Sequence, residues 1–180
     1  MKRIVLGLVI AVTILGCQKD DEVTDTGETS LELNGKSWNV EEWKVLIAAT
    51  KLSAWGGEPC DLNAYSIVIS KFNHENFVRE QISIAKIPPK IGIYPIQIGK
   101  ECSKNDSVGA AYFQIGAHGD VTTAVYDVLE TEDNFINISE FNKSKQEISG
   151  TFQITFVDKY EISSDTLRFA NCSFRTKIYK

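Results

Sequence analysis

Alternation of apolar and polar positions governs the chain from Leu31 onward. Leu31-Glu32-Leu33 alternates, Asn34-Gly35 is the pair that a two-residue hairpin turn favours, and Trp38 and Val40 resume the alternation. Trp43, Val45 and Ile47 continue on the other parity, which a bulge at Glu41-Glu42 accounts for; a helix over 38–52 is the competing reading. Residues 51–63 read as a long loop. Tyr65, Ile67 and Ile69 then share a face with Ser66 and Ser70 opposite, and 77–85 form a further strand before the break Ile87-Pro88-Pro89. Pro95 has no N–H to give to a ladder, so 92–96 read as an edge strand or a strand start.

The second half continues in the same rhythm. Ala111, Phe113 and Ile115 alternate before the turn Gly116-Ala117-His118-Gly119-Asp120, and 121–129 read as paired with 135–141 around Thr131-Glu132-Asp133-Asn134. Phe152, Ile154 and Phe156 face one way. Ala170, Cys172, Phe174, Thr176 and Ile178 line one side of the last strand, with Arg175 and Lys177 opposite. About nine or ten short strands with turn clusters between them predict an all-β domain, an antiparallel β-sandwich or a flattened β-barrel. No internal repeat is present.

The pattern is different before Leu31. Lys2 and Arg3 precede an apolar run over 4–15, which as a helix spans about 18 Å against a hydrocarbon core of about 30 Å. That is the layout of a secretory signal rather than a membrane span. Ile14-Leu15-Gly16-Cys17 resembles the bacterial lipobox, which implies that Cys17 becomes a lipidated N-terminus. Two or more acyl chains anchor stably where one does not. Cys17-Gln18-Lys19-Asp20-Asp21-Glu22 resembles the lipoprotein export signal of Bacteroidetes, in which Lys19, Asp20, Asp21 and Glu22 would direct the protein to the outer face of the outer membrane. The alternative address is periplasm-facing, with the acids merely solvating a tether. Asp20, Asp21, Glu22, Asp25 and Glu28 come with no aromatic residue, so 17–30 read as a flexible acidic tether. The expected organisation is a signal peptide over 1–16, the tether over 17–30, and one β domain over 31–180.

Asn34-Gly35-Lys36-Ser37-Trp38 and Ile148-Ser149-Gly150-Thr151-Phe152 resemble segments of small Bacteroidetes outer-membrane and cell-surface lipoproteins, a group without an assigned activity. The resemblance implies the β fold and the tether, and transfers no catalytic residue.

Charge narrows the partners. Removing 1–16 takes two of the 19 basic residues and none of the 24 acidic ones, leaving 17 against 24, a formal charge of −7. Nucleic acid and anionic lipid heads both need cationic patches, so neither is an expected partner. The membrane is reached through the lipid anchor instead. Apolar content of 43% is enough to build a core, which excludes disorder of the whole chain.

Three cysteines remain beyond the anchor. Cys60 and Cys102 sit in loop-like stretches and are the expected disulfide pair, while Cys172 falls on an apolar strand face as a buried free thiol. With no close cysteine pair and two histidines, neither a metal site nor a cofactor is expected. Asp127, Glu130, Glu132 and Asp133 lack the spacing that wraps oxygens around calcium and read as a solvated turn. His118 and Asp120 could form an acid–base pair, but a hairpin turn calls for Gly and Asp in any case. No nucleophile, phosphate-binding or dinucleotide motif is present, so no enzyme is expected.

Trp55, in Ala54-Trp55-Gly56-Gly57, is the candidate ligand-binding residue, since a loop tryptophan supplies large rigid area for sugars or proteins. Trp38 and Trp43 lie in strands and read as core. Asp106-Ser107-Val108 and Asp165-Thr166-Leu167 resemble the O-glycosylation sequon of exported Bacteroidetes proteins, which would make Ser107 and Thr166 acceptors. These features predict a surface-anchored, non-enzymatic binding module for a glycan, a protein or an envelope complex. The second expectation is an immunity or inhibitor lipoprotein that neutralises a toxin or hydrolase.

Overall fold

The computed structural model describes residues 27–38, 44–51, 64–99, 107–160 and 165–179. They form β1 (Glu28–Leu33), β2 (Lys36–Ser37), β3 (Lys44–Lys51), β4 (Tyr65–Phe72), β5 (Val78–Ile87) and β6 (Gly92–Ile98). The second half adds β7 (Val108–Ile115), β8 (Thr122–Val128), β9 (Phe135–Asn142), β10 (Glu147–Asp158) and β11 (Thr166–Tyr179). The fold is all-β. Its first ladder begins at Glu28, ahead of the expected start at Leu31. Asn34 (φ 50°) and Gly35 (φ 76°) form the β1–β2 turn, both in the left-handed region that a twisted two-residue hairpin requires.

The sheet closes on itself. Eight strands make the ring, in the order β11-β3-β4-β5-β7-β6-β9-β10 and back to β11. Two ladders in it are parallel, β11 with β3 and β6 with β7. β6 is not a simple edge: Gly92 to Pro95 pair with β9, and Ile96 to Ile98 pair with β7.

β8 and β9 do not pair with each other, contrary to the hairpin expected around Asn134. They lie end to end along one edge of β10. Asp158, Val157 and Phe156 face Tyr126, Asp127 and Val128, and further down Gln153 faces Phe135 and Ile148 faces Phe141. Alternation reports which face a residue takes and says nothing of the neighbouring strand.

The break between them is closed by one side chain. Asn134, which is buried, accepts a bond from the Thr155 N–H (2.7 Å) and donates to the carbonyls of Leu129 (2.8 Å) and Glu132 (3.0 Å). Below it, Gly150 sits at a register shift where an added Cβ would run into the Asn137 carbonyl, so β9 and β10 can be this close only with glycine there.

Aromatic rings fill the interior. Tyr112 lies 5.9 Å from Phe156 and 5.6 Å from Phe169, and those two are 6.0 Å apart, with Phe152 also buried. An eight-stranded ring is just wide enough for side chains to fill it. Each buried ring contributes about 1.5–3 kcal/mol of transfer free energy.

Two faces differ from the expected ones. In β7 the inward parity is Val108, Ala110 and Tyr112, all buried, while Ala111, Phe113 and Ile115 stay partly exposed. Both parities of that strand are apolar, and the phenol finds a partner inside. In β11, Asn171 (φ 52°) forms a bulge, so Phe169 rather than Ala170 turns inward beside Cys172.

Candidate functional site

Two places gather apolar surface and carboxylates. The first is inside the ring. Ile67, Ile69 and Lys71 share the inward parity of β4, as Glu80, Ile82 and Ile84 do on β5. Glu80 accepts hydrogen bonds from Trp38 Nε1 (2.6 Å), Tyr112 Oη (2.6 Å) and Lys71 Nζ (3.2 Å). Trp38 follows the β1–β2 hairpin and is 3% exposed, edge-on to Phe169, with the Lys71 ammonium 5.1 Å from its ring centre. Burial and the facing Glu80 carboxylate push the Tyr112 phenol far above its ordinary value. This knot ties four strands and the hairpin together, its carboxylate already met by three donors from the chain.

The second place is on the outer wall, where β8 hands over to β9. Pro95, Phe135 and Gln153 are register partners across β6, β9 and β10, so they form one row on a shared face. Ile93 extends that face along β6 and is 70% exposed; Ile91, just before the strand, is 60% exposed. Three adjoining clefts follow this row. An apolar one of about 350 Å³ is lined by Ile93, Pro95, Asp133, Asn134 and Phe135. Sharing Pro95, Asp133 and Asn134 with it is a cleft of about 510 Å³ that adds Gln97, Glu130 and Glu132. On the far side of Phe135 a third, of about 280 Å³, reaches Thr151, Gln153 and Asn171 at the β11 bulge. Among the described residues the linings hold three carboxylates and neither lysine nor arginine.

A fold-level reason puts the groove here. One strand cannot run the full height of the wall when β6 is wedged between β7 and β9, so 129–134 loop outward and leave a step. Glu130 is held on that step by accepting the Ile98 N–H (3.3 Å). Gln153 Nε2 donates to the Asp133 carbonyl (3.0 Å) from the other side.

Of the residues singled out in the sequence, Cys17, Lys19, Asp20, Asp21, Glu22, Trp43, Trp55, Cys60 and Cys102 lie outside the described residues, as does Glu41-Glu42. Ser107 stands just before β7 and is partly exposed; Thr166 is exposed at the first position of β11. Cys172 is a buried free thiol, pushed up to about 11 by burial. His118 packs edge-on against Phe77, with ring centroids 6.3 Å apart, in the β7–β8 turn. Asp127 pairs with Lys159 at 3.7 Å, away from Glu130 on the step. Among the described residues no three acidic, histidine or cysteine side chains gather closely enough to hold an ion.

Sequence reasoning missed Glu80, Ile93 and Phe135. The signal for Glu80 was a charged residue on a strand's inward parity. For the groove it was the run Ile91-Gly92-Ile93-Tyr94-Pro95-Ile96, apolar on both parities, as in a strand covered on both faces. Comparison with protein-family models, curated proteins and solved structures finds no match for this chain.

Proposed function

We propose that this protein is a lipid-anchored outer-membrane lipoprotein, exposed at the cell surface, that acts as a non-enzymatic binding module and takes a protein partner on the outer wall of its β ring. The resemblance of Ile14-Leu15-Gly16-Cys17 to the lipobox and of Lys19-Asp20-Asp21-Glu22 to an export signal supports the address. One observation carries the binding reading: exposed Ile91 and Ile93 continue into a groove over Pro95 and Phe135, while the ring interior is packed with aromatic side chains. Apolar patches of this kind on a rigid scaffold mark interaction sites.

Photo-crosslinking in intact cells tests it. With p-benzoylphenylalanine at position 93, a discrete protein adduct is expected, and none with the same group at position 140 on the neighbouring strand. Equal labelling at both positions, or none at either, would sink the reading. Protease shaving of intact cells tests the address, with Cys17→Ala expected to release the protein from the membrane.

The acidic lining favours a second reading, an immunity or inhibitor lipoprotein whose target is basic. It predicts one tight adduct partner that is itself a toxin or hydrolase.

A further inference from the structure

We infer that the groove receives an extended, basic segment of the partner, with an apolar side chain seated on Ile93, Pro95 and Phe135 and cationic side chains directed to Glu130, Glu132 and Asp133. The inference rests on the outer-wall reading above and adds the chemistry of what binds there.

Shape comes first. The clefts cross the wall from β6 over β9 and β10 to β11. Three inter-strand steps of about 4.8 Å make a track roughly 14 Å long. An extended chain at about 3.3 Å per residue covers that with four or five residues. A helix is about 10–12 Å across with its side chains and sits poorly in a track crossed by individual strands.

Chemistry then selects the residues. Ile93, Pro95 and Phe135 give the track an apolar seat at the β6 end. The adjoining cleft adds Glu130 and Glu132 to Asp133, with no cation among the described residues of its lining. An acidic or neutral segment would leave those carboxylates facing like charge or apolar surface. A segment of alternating apolar and basic residues places one set on the seat and the other over the acids. The far end offers Thr151, Gln153 and Asn171, polar groups suited to a peptide backbone.

The test uses the full chain carrying Cys17→Ser, so that no acyl group competes for apolar surface. Three fluorescein-labelled heptapeptides share two leucines and a central phenylalanine at alternate positions, with lysine, serine or glutamate at the other four. Fluorescence anisotropy at 0.15 M salt reads their affinities. The lysine peptide is expected to bind at least about tenfold more tightly than the serine peptide, and the glutamate peptide most weakly. Ile93→Ser is expected to weaken the lysine peptide about tenfold by removing the seat. The pair Glu132→Lys with Asp133→Lys is expected to do the same while leaving the serine peptide unchanged.

Glu140→Lys, on β9 but outside the clefts, is the control for overall charge and is expected to change affinity less than about twofold. Unchanged thermal midpoints establish that each variant is folded. Equal affinity for all three peptides overturns the inference, as does a Glu140→Lys effect equal to that of the Glu132 and Asp133 pair. If the serine peptide binds as well as the lysine one and loses affinity on Ile93→Ser, the outer-wall reading stands and the basic segment falls. If no peptide binds and position 93 gives no adduct in cells, both fall.

Discussion

The knot inside the ring and the groove outside it are made of the same materials, and they differ in how fully the chain itself supplies the donors: three side chains meet Glu80, whereas Glu130 takes one backbone N–H. Inside, Glu80 meets Trp38, Tyr112 and Lys71 of its own chain, and rings pack around all four. Outside, Glu130, Glu132 and Asp133 line a cleft with Pro95, and among the described residues the adjoining clefts carry no basic side chain. A carboxylate beside apolar surface is thus not one kind of feature. With internal donors it fastens strands together; on the outer wall, the proposed role is to recruit donors from another molecule.

Substitutions can break that contrast, and the largest effect belongs to the knot. Glu80→Ala removes the carboxylate shared by Lys71, Trp38 and Tyr112 and should destabilise the fold by about 3–5 kcal/mol in urea unfolding, with peptide binding by the remaining folded protein unchanged. Asn134→Ala follows, at about 1–3 kcal/mol, because the Thr155 N–H loses its acceptor and the Leu129 and Glu132 carbonyls each lose a donor, with Leu129 keeping the Glu132 N–H. This change sits between the two regions, so it should also loosen the step and weaken binding at the groove.

A pH series gives the next effect. The native Tyr112 phenol is held far above the value of about 10 that an unfolded tyrosine has. Below that value both states keep the proton and the stability is fully present; as pH rises past 10 the unfolded state ionises and the folded state does not. Stability therefore falls with rising alkalinity, and Tyr112→Phe should flatten the fall. Cys172, pushed up to about 11 from an ordinary thiol value of 9.0, adds to the same slope beginning about one unit lower than the phenol does. The smallest change is Ile93→Ser, expected within about 0.5 kcal/mol of the parent in stability while weakening the lysine peptide.

Much of the fold was legible because the signals were local. Asn34-Gly35 names its turn, Ile67 and Ile69 name their face, and Cys172 was recognisable as a buried thiol from the residues on either side. What stayed hidden depends on distant neighbours. Nothing near 121–141 says that β8 and β9 share an edge of β10, and nothing near Ala170 says that Asn171 takes a positive φ. The groove was hidden for the same reason: Ile93, Phe135 and Glu132 become adjacent only once β6 has slipped between β7 and β9. Glu80 was passed over because an acid in a strand is ordinarily a solvated one.

The pairing of β1 with β11 carries a consequence in time. Glu28 to Leu33 find their long ladder in Arg175 to Phe169, and β3 closes the ring against Ile178 and Tyr179. A chain made or threaded from its N-terminus therefore carries its first and third strands for more than a hundred residues before the partner exists. Until β11 emerges the seam stays open, so the ring cannot close before that strand is present. For a protein proposed to be exported, a seam that waits for β11 is a built-in delay.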